Sequence, residues 1–260
     1  MPQIYIMLAV TLAISCLLWG GLLYLFTHHE TRYFWLLLLG LPLSAVANLL
    51  IKRQAILTVA NLGQVDLNSG LAAPAWFLGF QVLLTPLVEE LIKIAPLLLL
   101  PAWRLVKNGG NALWVGFVLG VTFGLGEAML IAYAVERSGQ YATLPWYAFT
   151  GFLNERIMTC FAHGVMTAVL VIGLQRGSMY ILKGYMYAVS VHLFLNGPVA
   201  LYQLRWISNE LYGVALIIPF IVLALMFERM RRAVRGPNDD QTAQEVVYWR
   251  RPTGGQFPHG

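Results

Sequence analysis

Charge is what this sequence has least of. Lysine, arginine, aspartate and glutamate make up 11% of its 260 residues. That is less than half the share found in an ordinary soluble domain, which excludes a solvated globular surface. Cysteine is equally scarce: Cys16 and Cys160 are the two in the chain, and both fall within apolar segments. No disulfide framework or cysteine-rich zinc site follows from them. The first 26 residues carry no basic leader, and their apolar run exceeds a signal-peptide core, so they read as a retained first helix. No Ser-His-Asp set, no His-Glu-x-x-His motif, no fixed-period repeat and no intervening soluble domain can be found.

What is there is apolar. Hydrophobic residues account for 58% of the chain, in runs too numerous for a single anchor and too continuous for the alternation of a membrane barrel. The expected architecture is all-α, a polytopic transmembrane bundle of about seven helices in the lipid bilayer. They are placed at about 4–26, 33–51, 75–101, 111–134, 149–174, 180–204 and 210–227. Residues 52–74 form the longest connection, within which Ile56 to Leu62 reads as a short interfacial helix. Residues 1–227 form the membrane domain, and 228–260 a basic tail whose Gly, Pro, Asp and Gln content reads as disordered. Loops on the N-terminal side hold four Lys or Arg (Lys52, Arg53, Arg137, Arg205) and the opposite side holds nine. The positive-inside rule then predicts an outside N-terminus and a cytoplasmic C-terminus. The net charge of +5 is accounted for by this topology and needs no nucleic acid as partner.

Against that background the stretch from Pro86 to Pro96 stands out, because Glu89 and Glu90 lie deep in an apolar run. An ionised side chain at a span centre costs about 2.5–3.5 kcal/mol on the insertion scale, so both need compensation. Lys93, four residues after Glu89, shares its face and allows a local ion pair, which leaves Glu90 to find another partner or a proton. Pro86 and Pro96 each remove a backbone donor, from the carbonyls of Val82 and Ile92. Open backbone at this depth belongs in a protein interior or beside water.

Three further helices carry polar groups at comparable depth: Glu127 after Phe123-Gly-Leu-Gly, then Glu155, Arg156 and His163, then His192 and Asn196. Taken singly, such groups are interhelical hydrogen-bonding partners. Arg156 and Lys93 read as charge-balancing, and Glu155 as structural. Gly116, Gly120 and Gly124 recur every four residues, a stripe along which another helix can approach. Together, the carboxylates, two histidines and an amide suit activation of water against a carbonyl, with His192 and Asn196 on one face as donors to an oxyanion. That chemistry is amide hydrolysis. A metal-free reaction is the favoured expectation. The alternative is a zinc set of Glu127, His163 and His192 with Glu89 as base.

Glu89-Glu-Leu-Ile-Lys93, Phe123-Gly-Leu-Gly-Glu127, Arg156 with His163, and His192-Leu-Phe-Leu-Asn196 resemble, in order and in helix placement, the four motifs of PrsW-type intramembrane proteases. The resemblance covers about residues 75–205. Ala128 departs from it, standing where many relatives have asparagine. The resemblance implies a multi-pass protease of a prokaryotic cell membrane, akin to CAAX-prenyl endopeptidases and bacteriocin-processing enzymes. Glu89 would be the base, Glu90 its partner, His192 and Asn196 the oxyanion pair, and Glu127 and His163 the remaining polar positions. The implied substrate is a membrane-anchored protein, such as an anti-sigma factor in regulated proteolysis. The wider group also contains a non-proteolytic scaffold subunit of γ-secretase, so a silent scaffold that binds transmembrane helices is the competing expectation.

Overall fold

A computed structural model describes residues 2–27, 31–67 and 73–234. Helices α1 (Gln3–Phe26), α2 (Leu36–Ala45), α3 (Arg53–Leu62), α4 (Ala75–Lys93), α5 (Leu100–Trp103), α6 (Gly109–Ser138), α7 (Thr150–Arg176), α8 (Ser178–Gln203) and α9 (Asn209–Val234) follow one another, with no strand among the described residues. Six helical segments are long and apolar enough to cross a bilayer, which makes this a multi-pass helical membrane protein. Helix α8 is not among the six, although its 26 residues would reach about 39 Å at 1.5 Å per residue. Its sequence is diluted by Lys183, His192, Asn196 and Pro198.

The bundle is inverted relative to a soluble protein. Leu17, Leu38, Leu98 and Leu225 are exposed, while Glu89, Glu90 and Lys93 have no accessible surface, as expected when the surrounding solvent is hydrocarbon. Helices α6 and α7 form the centre and pack most extensively on each other, with α1, α2, α8 and α9 around them. The glycine stripe makes that central contact possible. A Cβ at Gly120 would collide with the carbonyl of His163, and one at Gly116 or Gly124 with the backbone of Ala168 or Cys160. The order of these partners makes the pair antiparallel. At the α6 N-terminus the Asn108 side chain accepts a hydrogen bond from the Asn111 N–H at 2.9 Å, capping one of the open donors there.

Three expected boundaries differ. The second helix does not stop at residue 51. It passes through a π-helical segment, Val46–Lys52, directly into α3, forming one span of 27 residues from Leu36 to Leu62. The supposed loop residue Lys52 therefore lies inside it. The third helix, expected to run to 101, ends as α-helix at Lys93 and continues as a 3-10 turn, Ala95–Leu98. Pro96 cannot donate to Ile92, and the N–H of Ile94 turns back to the Ile92 carbonyl instead. The last helix continues past 227 to Val234 because Glu228 holds Arg231 and Arg232 at 2.7 Å, one turn along. The rest of the expected tail, 235–260, lies outside the described residues.

Candidate active site

Helix α4 delivers Glu89, Glu90 and Lys93 from its last turn, just before the Pro96 break. The pairing differs from the expected one. Lys93 binds Glu90, three residues back, at 2.6 Å between Nζ and Oε1, and Glu89 is held from another helix. Lys52 of the π-helical segment donates to Glu89 Oε1 at 2.6 Å and to Asn48 Oδ1 at 2.8 Å. The wider π-turn re-aims side chains inside an otherwise regular span, a feature that gathers at functional sites. Lys93 is drawn away from Glu89 by a second contact, with Nζ 2.7 Å from His163 Nδ1 and 4.8 Å from the centre of the Phe123 ring.

These distances fix both imidazole tautomers. An ammonium only donates, so His163 Nδ1 accepts from Lys93, and the ring proton sits on Nε2, facing Glu127 Oε2 at 3.4 Å. The carboxylate of Glu90 only accepts, so His192 Nδ1–H donates to Glu90 Oε1 at 2.7 Å. Nε2 of His192 then faces Glu89 Oε2, 4.0 Å away. The two imidazole rings meet edge to face, with centres 5.4 Å apart.

Glu127 is anchored at the other side of His163 by Arg156, whose Nη1 donates to Oε2 at 3.0 Å. Arg156 also donates to its neighbour Glu155 at 2.5 Å. Adjacent helical positions point about 100° apart, but Glu155 is more than half exposed and its long arm is free to fold back. Arg156 therefore balances two carboxylates, where sequence reasoning could assign none to Glu155.

The structure thus joins Glu89, Glu90, Lys93, Glu127, Arg156, His163 and His192 in one continuous chain of contacts. Asn196 sits one turn beyond His192 and lines the same cavity, with no side-chain hydrogen bond among the described residues. That cavity, of about 560 Å³, runs from Asn154 and Tyr212 at the starts of α7 and α9 down to Thr85, His163 and His192. Its far wall is apolar, built from residues such as Leu195, Leu216 and Phe220. Glu89 lies behind Thr85, on the same face of α4 one turn on.

Two oxygens in the cluster are unused by the protein. Oε2 of Glu89 and Oε2 of Glu90 are buried without a hydrogen-bond partner among the described residues, a situation costing about 1–3 kcal/mol for a neutral group and more for a charged one. The closest group of potential metal-binding atoms is Glu89, His163 and His192, within 4.8 Å of one another, so Glu89 stands where sequence reasoning put Glu127. Residues missed by sequence reasoning are Lys52, Thr85 and Phe123. Lys52 had a readable signal: Ser44, Asn48 and Lys52 repeat every four residues, a polar ladder on one helix face. Compared with known proteins, the chain matches no family model, no curated protein and no solved structure.

Proposed function

We propose that this protein is an intramembrane endopeptidase that hydrolyses a peptide bond of a membrane-anchored substrate with water activated by Glu89. The observation that carries the reading is the unpartnered Glu89 Oε2 facing His192 Nε2 across 4.0 Å. A water held between them lies within hydrogen-bond reach of both atoms. Lys52 holds the other oxygen of Glu89 and so aims Oε2 at that point. Water oxygen adds to the substrate carbonyl carbon while its proton passes to Glu89 Oε2. With Nδ1–H given to Glu90, the Nε2 lone pair of His192 accepts the second hydrogen bond of that water and orients it, and the Asn196 amide donates to the oxyanion. Collapse breaks the C–N bond, and Glu89 returns the proton to the departing amine.

The resemblance to PrsW-type proteases supports the same roles for Glu89 and Asn196, and an anti-sigma factor of a prokaryotic membrane is the substrate class it implies. With α8 as a seventh span, the termini lie on opposite sides, the C-terminus in the cytoplasm. The place of Lys52 inside the Leu36–Leu62 span supports that orientation, because it removes a cation from the loop on the N-terminal side.

A second reading has one observation in its favour, the grouping of Glu89, His163 and His192, a donor set suited to catalytic zinc. Its surroundings oppose it. Both nitrogens of His163 are engaged, and ammonium groups stand at 2.6 Å from Glu89 and 2.7 Å from His163, where a dication would be repelled. The test uses purified protein and a panel of single-span reporter proteins, with products mapped by mass spectrometry. We expect cleavage within or beside the reporter span that persists in a zinc chelator. Activity lost on chelation and restored by stoichiometric zinc would transfer the mechanism to the metal. Intact binding of every reporter without cleavage would favour the scaffold.

A further inference from the structure

A second cavity, of about 400 Å³, lies at the opposite end of the bundle, where α7 ends, α8 begins and α9 ends. Each of the three helices contributes one cation to it: Arg176, Lys183 and Arg229. No carboxylate lines it, and none of the three forms an ion pair among the described residues, although Lys183 lies 5.7 Å from the centre of the Tyr180 ring. This is unlike the neighbouring Arg231 and Arg232, which share an ion pair with Glu228. Three cations from three helices, with no acidic residue in the lining, give the cavity a net positive charge that an anion would complement.

The rest of the wall is apolar, formed by Val169, Ile172, Met226 and Met230. Tyr180 and Tyr187, both about half exposed, stand beside it, with the amphipathic character of residues at a membrane surface. A phosphate group at the cations and an acyl chain along the apolar wall would satisfy both halves of the cavity, whereas free phosphate would satisfy one. We propose that this cavity binds one anionic glycerophospholipid, its phosphate between Arg176, Lys183 and Arg229 and a chain against α7 and α9. Basic clefts between spanning helices suit such headgroups. The site is separate from the Glu89 cluster and does not rest on the proposed peptidase activity.

Native mass spectrometry of the full chain, purified in neutral detergent, tests it by titration with phosphatidylglycerol, phosphatidylcholine or inorganic phosphate. Wild type should retain one phosphatidylglycerol in preference to phosphatidylcholine. A cation near the headgroup is worth about fivefold in binding. Arg229→Gln should therefore reduce that preference about fivefold, and the combined Arg176→Gln, Lys183→Gln, Arg229→Gln variant by at least about tenfold. Arg232→Gln, which alters a cation already paired with Glu228, should leave it within about twofold. Should the combined variant fail to fold, the comparison of Arg229→Gln with Arg232→Gln carries the test. Equal retention of the two lipids by wild type, equal losses in the two single variants, or displacement of the lipid by millimolar phosphate would each overturn the proposal.

Discussion

Glu89 and Glu90, both buried, and the partly exposed Glu127 each have their own cation: Glu89 has Lys52, Glu90 has Lys93, and Glu127 has Arg156. Desolvation makes such pairs poor sources of net stability, yet breaking one strands a charge at a cost of about 3–5 kcal/mol. Lys52→Gln should therefore destabilise the folded protein by about 3 kcal/mol, read as a lower unfolding temperature in detergent. Lys52→Gln combined with Glu89→Gln should recover most of that loss, because no charge is left unpaired. A double variant as unstable as the single one would mean the pair is not coupled. The glutamates, histidines and Asn196 were legible in the sequence because each interrupts an apolar run at matching depth. The partner of Glu89 was only half legible: the spacing of Ser44, Asn48 and Lys52 puts Lys52 on a polar helix face, but a lysine close to the end of an apolar run looks the same as a lysine in a loop. What separates the two is the π-helical segment Val46–Lys52, which carries the span past Lys52 and which apolar periodicity does not reveal.

Among the helices, the α6–α7 contact sets where His163 stands, because the Gly120 surface lies against the His163 carbonyl itself. Backbone cannot move aside as a flexible side chain can. Gly120→Ala should cost about 1–3 kcal/mol through overpacking and lower activity by displacing His163 from Lys93 and Glu127. Gly79→Ala is the natural comparison: a Cβ there meets nothing within 4 Å, so the change should be neutral or stabilising by up to about 1 kcal/mol. Unfolding temperatures of the two variants, side by side, check this. The stripe itself was readable from its four-residue spacing, and so was its use for close approach. Its partner was not, because spacing identifies a surface without naming the helix that covers it. The early end of α4 was half readable: Pro96 marked a break, but the long apolar stretch through Leu100 concealed it.

For the molecule as a whole, the apolar runs made a helical membrane bundle legible from composition alone, and the number of crossings turns on α8. Two of its polar residues, His192 and Asn196, line the candidate active-site cavity, so residues that give the helix its proposed function also dilute its hydropathy. If α8 spans, the two termini lie on opposite faces. A C-terminal fluorescent-protein fusion should then fluoresce in the cytoplasm, while a C-terminal alkaline phosphatase fusion stays inactive. The reverse pattern would invert the bundle. If Glu89 accepts water's proton, Glu89→Gln should silence the enzyme, with turnover of a reporter and unfolding temperature measured on the same preparation. Glutamine keeps an oxygen for Lys52 but cannot serve as a base, and Lys52 retains its bond to Asn48. The predicted result is a fall in turnover of at least about a hundredfold with a smaller loss of unfolding temperature than in Lys52→Gln, because the ammonium left behind is partly exposed and keeps Asn48. Turnover near the wild-type rate in a folded Glu89→Gln protein would mean that Glu89 is not the base.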